Sequence, residues 1–161
     1  MSAGGVAQSK VSAASLAITA FTASVGEALI VTVAKDNVQT TDGQTSEVTS
    51  VTDTVGNTYT KVAEFTNGQG GAAACATVAV WCCKTVTTAM TGSDTITINF
   101  SSSITAKGAA ASRIGKVSSA TLEWDSGFQT NATDGADPPS MSISGLGSKE
   151  YLFIRACALE G

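Results

Sequence analysis

Apolar residues recur at every second position in short Thr- and Val-rich segments bounded by Gly, Asn, Asp and Ser, which is the pattern of half-buried β-strands. It predicts strands at 15–21, 27–35, 47–53, 58–65, 75–84, 94–100, 114–121 and 149–158. Helical periodicity is hard to find. About eight short strands predict an all-β fold, an antiparallel β-sandwich of jelly-roll or Ig-like type. The run Leu29-Ile30-Val31-Thr32-Val33-Ala34 is nearly continuous in apolar character, as expected of a central strand covered on both faces. Val51-Thr52-Asp53-Thr54-Val55-Gly56-Asn57-Thr58-Tyr59 reads as the clearest hairpin, because Gly56 and Asn57 tolerate positive φ and Asp53 can bond the loop backbone. Residues 68–74 and 101–112 are small and flexible; both read as loops, or the second as a short helical turn. The stretch 128–140, which ends near Pro138-Pro139, reads as a long crossover between strands.

The 161 residues suit one sandwich domain over 15–161, preceded by a flexible arm over 1–14 that orders on contact with a neighbouring subunit. The chain stops at Leu159-Glu160-Gly161 directly after an apolar segment, an abrupt ending that suggests the natural polypeptide continues. No repeat of roughly 20–50 residues is visible, so a solenoid or propeller is not expected. Ala, Gly, Ser and Thr supply 83 residues and charged residues only 14%, so the surface must be mostly small, neutral and polar. Nine Lys and Arg against thirteen Asp and Glu give a net charge of −4 without a run of either sign. Nothing there attracts phosphate, and no nucleic-acid partner is expected. The most apolar stretch, 70–83, is interrupted at Thr77 and falls short of the ~20 residues of a membrane helix. The first ten residues lack the charged start and apolar centre of a secretory signal.

The chain has no histidine, which removes the usual general base near neutral pH and every Ser-His or Cys-His pair. Cys75, Cys82, Cys83 and Cys157 show no CxxC spacing, so no metal site is expected. Cys82 and Cys83 are neighbours on a strand, point to opposite faces, and read as buried small hydrophobes or, in an oxidising setting, disulfide partners. Glu123-Trp124-Asp125 would put two acids on one strand face about 7 Å apart, within the range glycosidases use, although alternating acids are common on solvent-facing strands. Asn131, Asp134 and Asp137 around Gly135 offer oxygen ligands for Ca²⁺, but such loops also arise because Asn and Asp stabilise turns. Gly68-Gln69-Gly70-Gly71 lacks the Lys and helix of a phosphate loop. Trp81 lies inside a core strand, whereas Trp124 and Tyr59 are the candidate exposed rings for glycan contact. No catalytic residue, cofactor or metal ligand is assigned, and a carbohydrate-binding module or adhesin stands as the alternative reading.

Three segments carry a resemblance: Gly26-Glu27-Ala28-Leu29-Ile30-Val31-Thr32-Val33, then Val51 to Val62 with its Asp-x-x-Gly-Asn turn, then Thr95-Ile96-Thr97-Ile98-Asn99-Phe100, with Trp81 between the last two. Over 26–100 the chain resembles small all-β virion structural proteins of tailed bacteriophages; secreted bacterial β-sandwich modules share the same grammar. The resemblance implies a non-enzymatic component of a particle, a head decoration protein or part of the tail. It also implies homo-oligomers, capsid or tail proteins as partners, and location in the virion.

Overall fold

The computed structural model describes residues 2–36, 43–67, 76–116, 122–123, 148, 151–154 and 156. Among them there is no helix. Eight strands form: β1 (Ser2–Ser9), β2 (Ala13–Ile18), β3 (Ala28–Asp36), β4 (Val48–Asp53), β5 (Thr60–Thr66), β6 (Ala76–Cys83), β7 (Ile96–Ile104) and β8 (Lys107–Ile114). All pairings are antiparallel, and they build a five-stranded sheet of order β1-β8-β3-β6-β5 and a three-stranded sheet of order β2-β7-β4. The expected β-sandwich is therefore present. The strand order does not by itself assign a jelly-roll or Ig-like topology.

The core follows from strand parity. Leu29, Val31 and Val33 of β3 lie opposite Cys83, Trp81 and Ala79 of β6 and opposite Arg113, Ala111 and Ala109 of β8. Facing them from the smaller sheet are Leu16 and Ile18 of β2, Ile96, Ile98 and Phe100 of β7, and Val48 and Val51 of β4. Phe21, Ala23, Val86 and Met90 close one end from loops. Those loops are stitched by backbone bonds between Ala23 and Met90 in both directions and from Phe21 N to the Asp94 carbonyl. The central position expected for 29–34 holds, since β3 is the middle strand of the larger sheet.

Three expectations are corrected. First, the N-terminal residues are not an arm: β1 pairs with β8 along its length and forms an edge of the larger sheet. Its two glycines permit this, because a Cβ on Gly4 would meet the Phe21 ring at 2.2 Å and one on Gly5 would meet Ile18 Cγ2 at 2.7 Å. Only bare backbone approaches the smaller sheet that closely. Second, 101–112 is neither loop nor helical turn, since β7 runs on to Ile104 and β8 begins at Lys107. Ala109 and Ala111 present small side chains to the interior. Third, the 51–59 segment is not a hairpin: β4 belongs to the smaller sheet and β5 to the larger. Consecutive strands change sheets at every step except β5 to β6. The expected strand at 114–121 reduces to Ile114, the last residue of β8, and Tyr151 to Ile154 are not in a strand. Residues 117–121, 128–140 and 68–74 lie outside the described residues.

Candidate functional site

Polar side chains gather in two clusters, and one broad sheet face carries almost no charge. The first cluster is the connection between the sheets. The Asp53 carboxylate takes the N–H groups of Val55 (3.1 Å) and Asn57 (3.0 Å) on Oδ1, and the Asn57 amide (2.9 Å) and Tyr59 hydroxyl (3.0 Å) on Oδ2. Gly56 sits at φ +81°, where a side chain would be strained. Buried Asn57 reaches across to the 87–88 loop: Oδ1 accepts from Thr87 N, Thr87 Oγ1 and Thr88 N at 2.9 to 3.1 Å, and Nδ2 donates to the Thr88 carbonyl at 3.0 Å. Every polar atom of the amide is used. Burial first, and then the Asp53 carboxylate, hold the Tyr59 phenol protonated far above its ordinary range. Tyr59 packs against the core and is not an exposed platform for a sugar. The arrangement is a structural tie with no atom left over for a reactant.

The second cluster is a set of charges buried at one end of the sandwich. Lys35, Glu47, Glu64 and Lys107 are all less than a tenth exposed. Lys35 Nζ lies 3.0 Å from Glu47 Oε2 and donates to the Asp36 carbonyl at 3.1 Å. Glu64 Oε1 accepts the backbone N–H groups of Glu47 (2.5 Å) and Val48 (3.2 Å), and its Oε2 lies 2.6 Å from Lys61 Nζ. Lys61 also donates to the Thr45 carbonyl at 2.8 Å and stands over the Trp81 ring at 5.3 Å. Lys107 Nζ bonds the carbonyls of Ile104 (2.6 Å) and Val11 (2.8 Å). Parity would have found two of these: Lys35 continues the inward series Leu29, Val31, Val33, and Lys107 continues Ala111, Ala109. Both positions put a cation where the strand turns its side chains inward.

The remaining sites from sequence are dispersed. Glu123 is exposed and not in a strand; Trp124 and Asp125, the other members of that expected arrangement, lie outside the described residues. Asn131, Asp134, Gly135 and Asp137 lie there too, as do Cys75 and Cys157. Cys82 and Cys83 do point to opposite faces, with Cys82 beside Ile30 and Cys83 in the interior opposite Leu29. Burial, then the neighbouring Cys83, pushes the Cys82 thiol up to about 12; burial likewise raises Cys83, which donates to the Thr85 carbonyl at 3.2 Å. Such thiols are poor nucleophiles. Trp81 sits in the core, 7% exposed. Asp94 is held below the usual carboxylate range by hydrogen bonds from Thr54 and Thr91, which fixes a surface turn. No group of three His, Cys, Asp or Glu side chains suited to a metal ion occurs among the described residues.

The face is the outer side of the larger sheet. Cross-strand rows run Val6, Ala110, Thr32, Val80, Ala63 and Gln8, Gly108, Ala34, Val78, Phe65. Asp36, at the end of β3, is the one charged residue on these strands that shares their outward parity. Val6 and Gln8 on the edge strand are exposed, Val6 at 78%; the other residues of these two rows are half-buried, and Ile30 and Cys82, which share this outward parity farther along, are buried. The outer side of the smaller sheet is equally free of charge but hydroxylic, with Ala17, Thr97, Thr52 and Ser15, Asn99, Ser50 in register and Asn99 donating to Ser50 at 2.9 Å. Charge is inside at one end, and the broad faces have almost none. No family model, no curated protein and no solved structure matches this chain.

Proposed function

We propose that the protein is a non-enzymatic structural component of a bacteriophage particle, attached to the capsid or tail and packed against like copies. The observation that carries the reading is the broad outer face of the five-stranded sheet, built of Val, Ala, Thr and Phe and bounded on one side by the uncharged edge strand β1. Such a face can be covered without desolvating charges, whose burial opposes most protein contacts. An edge strand without Lys, Glu or Pro lacks the usual protection against pairing with another chain. The likeness of 26–100 to phage structural proteins supplies the particle; the structure supplies the face. The polar clusters support the same reading, because their hydrogen bonds and ion pairs run within the chain and serve cohesion. Of the two rings named for glycan contact, Tyr59 has its hydroxyl committed to Asp53, and Trp124 lies outside the described residues.

The test is co-sedimentation of the purified protein with tailed-phage capsids and with tails, followed by negative-stain microscopy. Regular added density on either particle supports the proposal. A monomer that pellets with neither, at concentrations that saturate known decoration proteins, removes it.

A further inference from the structure

Lys35 and Glu47 form an ion pair whose side chains are 0% and 3% exposed, and they come from different sheets. Lys35 is on β3 of the larger sheet; Glu47 directly precedes β4 of the smaller one and is already tied to β7, its carbonyl accepting Ser101 N at 3.0 Å. The carboxylate is held from several sides. Glu64 Oε1 fixes the Glu47 and Val48 backbone, and Ser101 Oγ donates to Glu47 Oε2 at 3.1 Å, the same oxygen that faces the lysine. Two opposite charges are thus withdrawn from water in a fixed geometry, with the carbon of the carboxylate one bond beyond an oxygen 3.0 Å from the amine. Prolonged proximity of this kind is worth an effective concentration of about 10⁵ M or more for a well-oriented pair. Burial of the ions works against the pair, while a neutral amide in the same place carries no such cost.

We propose that Lys35 and Glu47 condense into an intramolecular isopeptide bond that staples the two sheets. One proton passes from Lys35 Nζ to Glu47 Oε2 along the existing hydrogen bond, leaving an amine beside a carboxylic acid. The nitrogen lone pair attacks Cδ, the Cδ–Oε2 bond breaks, and a second proton leaves nitrogen with the departing hydroxyl. The products are one Nζ–Cδ amide and one water. Ammonium plus carboxylate equals amide plus water, so no oxidant, cofactor or activating group is consumed. Ser101 Oγ–H stabilises charge on the departing oxygen, and Glu64 acts as a positioning residue through the Glu47 backbone.

The experiment is intact-mass measurement and tryptic mapping of the full chain after incubation at neutral pH. The linked protein is lighter than its sequence by one water, and trypsin no longer cuts after Lys35, so residues 11–61 appear as one peptide carrying that deficit. Lys35→Met returns the intact mass to the value calculated for the variant. A wild-type chain of full sequence mass, cleaved after Lys35 into 11–35 and 36–61, overturns the proposal. So does a water deficit that maps elsewhere, for example to an aspartyl succinimide at Asp134-Gly135. The wild-type map decides the matter even where the variant does not fold.

Discussion

Replacing Asn57 with Ala removes the tie between the inter-sheet connection and the 87–88 loop. Five hydrogen bonds go with the amide: three accepted by Oδ1 from Thr87 and Thr88, and two donated by Nδ2 to Asp53 and the Thr88 carbonyl. Asp53 keeps Tyr59 and two backbone donors, and the exposed Thr87 hydroxyl turns to water, so neither is stranded. The Thr87 and Thr88 N–H groups and the Thr88 carbonyl lose their partner where the wild-type amide is only 6% exposed. At about 1–2 kcal/mol for each of these three groups, the variant loses about 3–6 kcal/mol. With a urea slope of about 2 kcal/mol/M, the midpoint of unfolding falls by about 2 M at unchanged slope. Equilibrium unfolding in urea followed by tryptophan fluorescence reads this directly, with Thr58→Ala at the exposed neighbour as the control that moves little. A midpoint shift below about 0.5 M for Asn57→Ala would refute the claim that this side chain joins the sheets.

Gly5→Val places carbon against Ile18 and Phe21 and should lift β1 from the sheet, lowering stability by about 1–3 kcal/mol and speeding amide hydrogen exchange across 2–9. Native protein treated with iodoacetamide at pH 8 should leave Cys82 and Cys83 unmodified by peptide mapping, and both should react once urea is added; rapid native labelling contradicts their burial. Folding raises the Tyr59 phenol, so its contribution is complete below the unfolded tyrosine value of about 10 and is lost as pH climbs above it. In an alkaline ultraviolet titration one of the two tyrosines should therefore ionise only with unfolding, and Tyr59→Phe should abolish that late step.

The strands that are legible in the sequence are those whose interior side chains are large. β3 and β6 announce themselves through Leu29, Val31, Val33 and Trp81, and β7 through Ile96 and Ile98. β1 and β8 do not, because most of their inward positions carry Gly or Ala: Gly4 and Gly5 lie against Phe21 and Ile18, and Ala109 and Ala111 sit beside β3's valines. Small residues carry little periodic signal, and their local preferences for turn or helix are overridden by packing. The 51–59 turn is legible in its local chemistry, since Asp53 does bond the loop backbone. Its destination depends on Asn57 meeting Thr87 and Thr88, thirty residues away, which no local pattern encodes. The buried charges are half legible, through the inward parity of Lys35 and Lys107; the carboxylates Glu47, which pairs with Lys35, and Glu64, which pairs with Lys61, are placed by a strand start and a bulge in β5 between Lys61 and Ala63.

The most direct measurement of the assembly claim places a charge in the middle of the uncharged face. Sedimentation velocity of wild type and of Val80→Glu across a wide concentration range, each also mixed with capsids and with tails, compares a half-buried outward position that leaves the core untouched. The account predicts self-association or particle binding by wild type, and its loss in the variant at unchanged thermal stability. Wild-type protein that stays monomeric and unbound, or a variant that assembles as well as its parent, contradicts it.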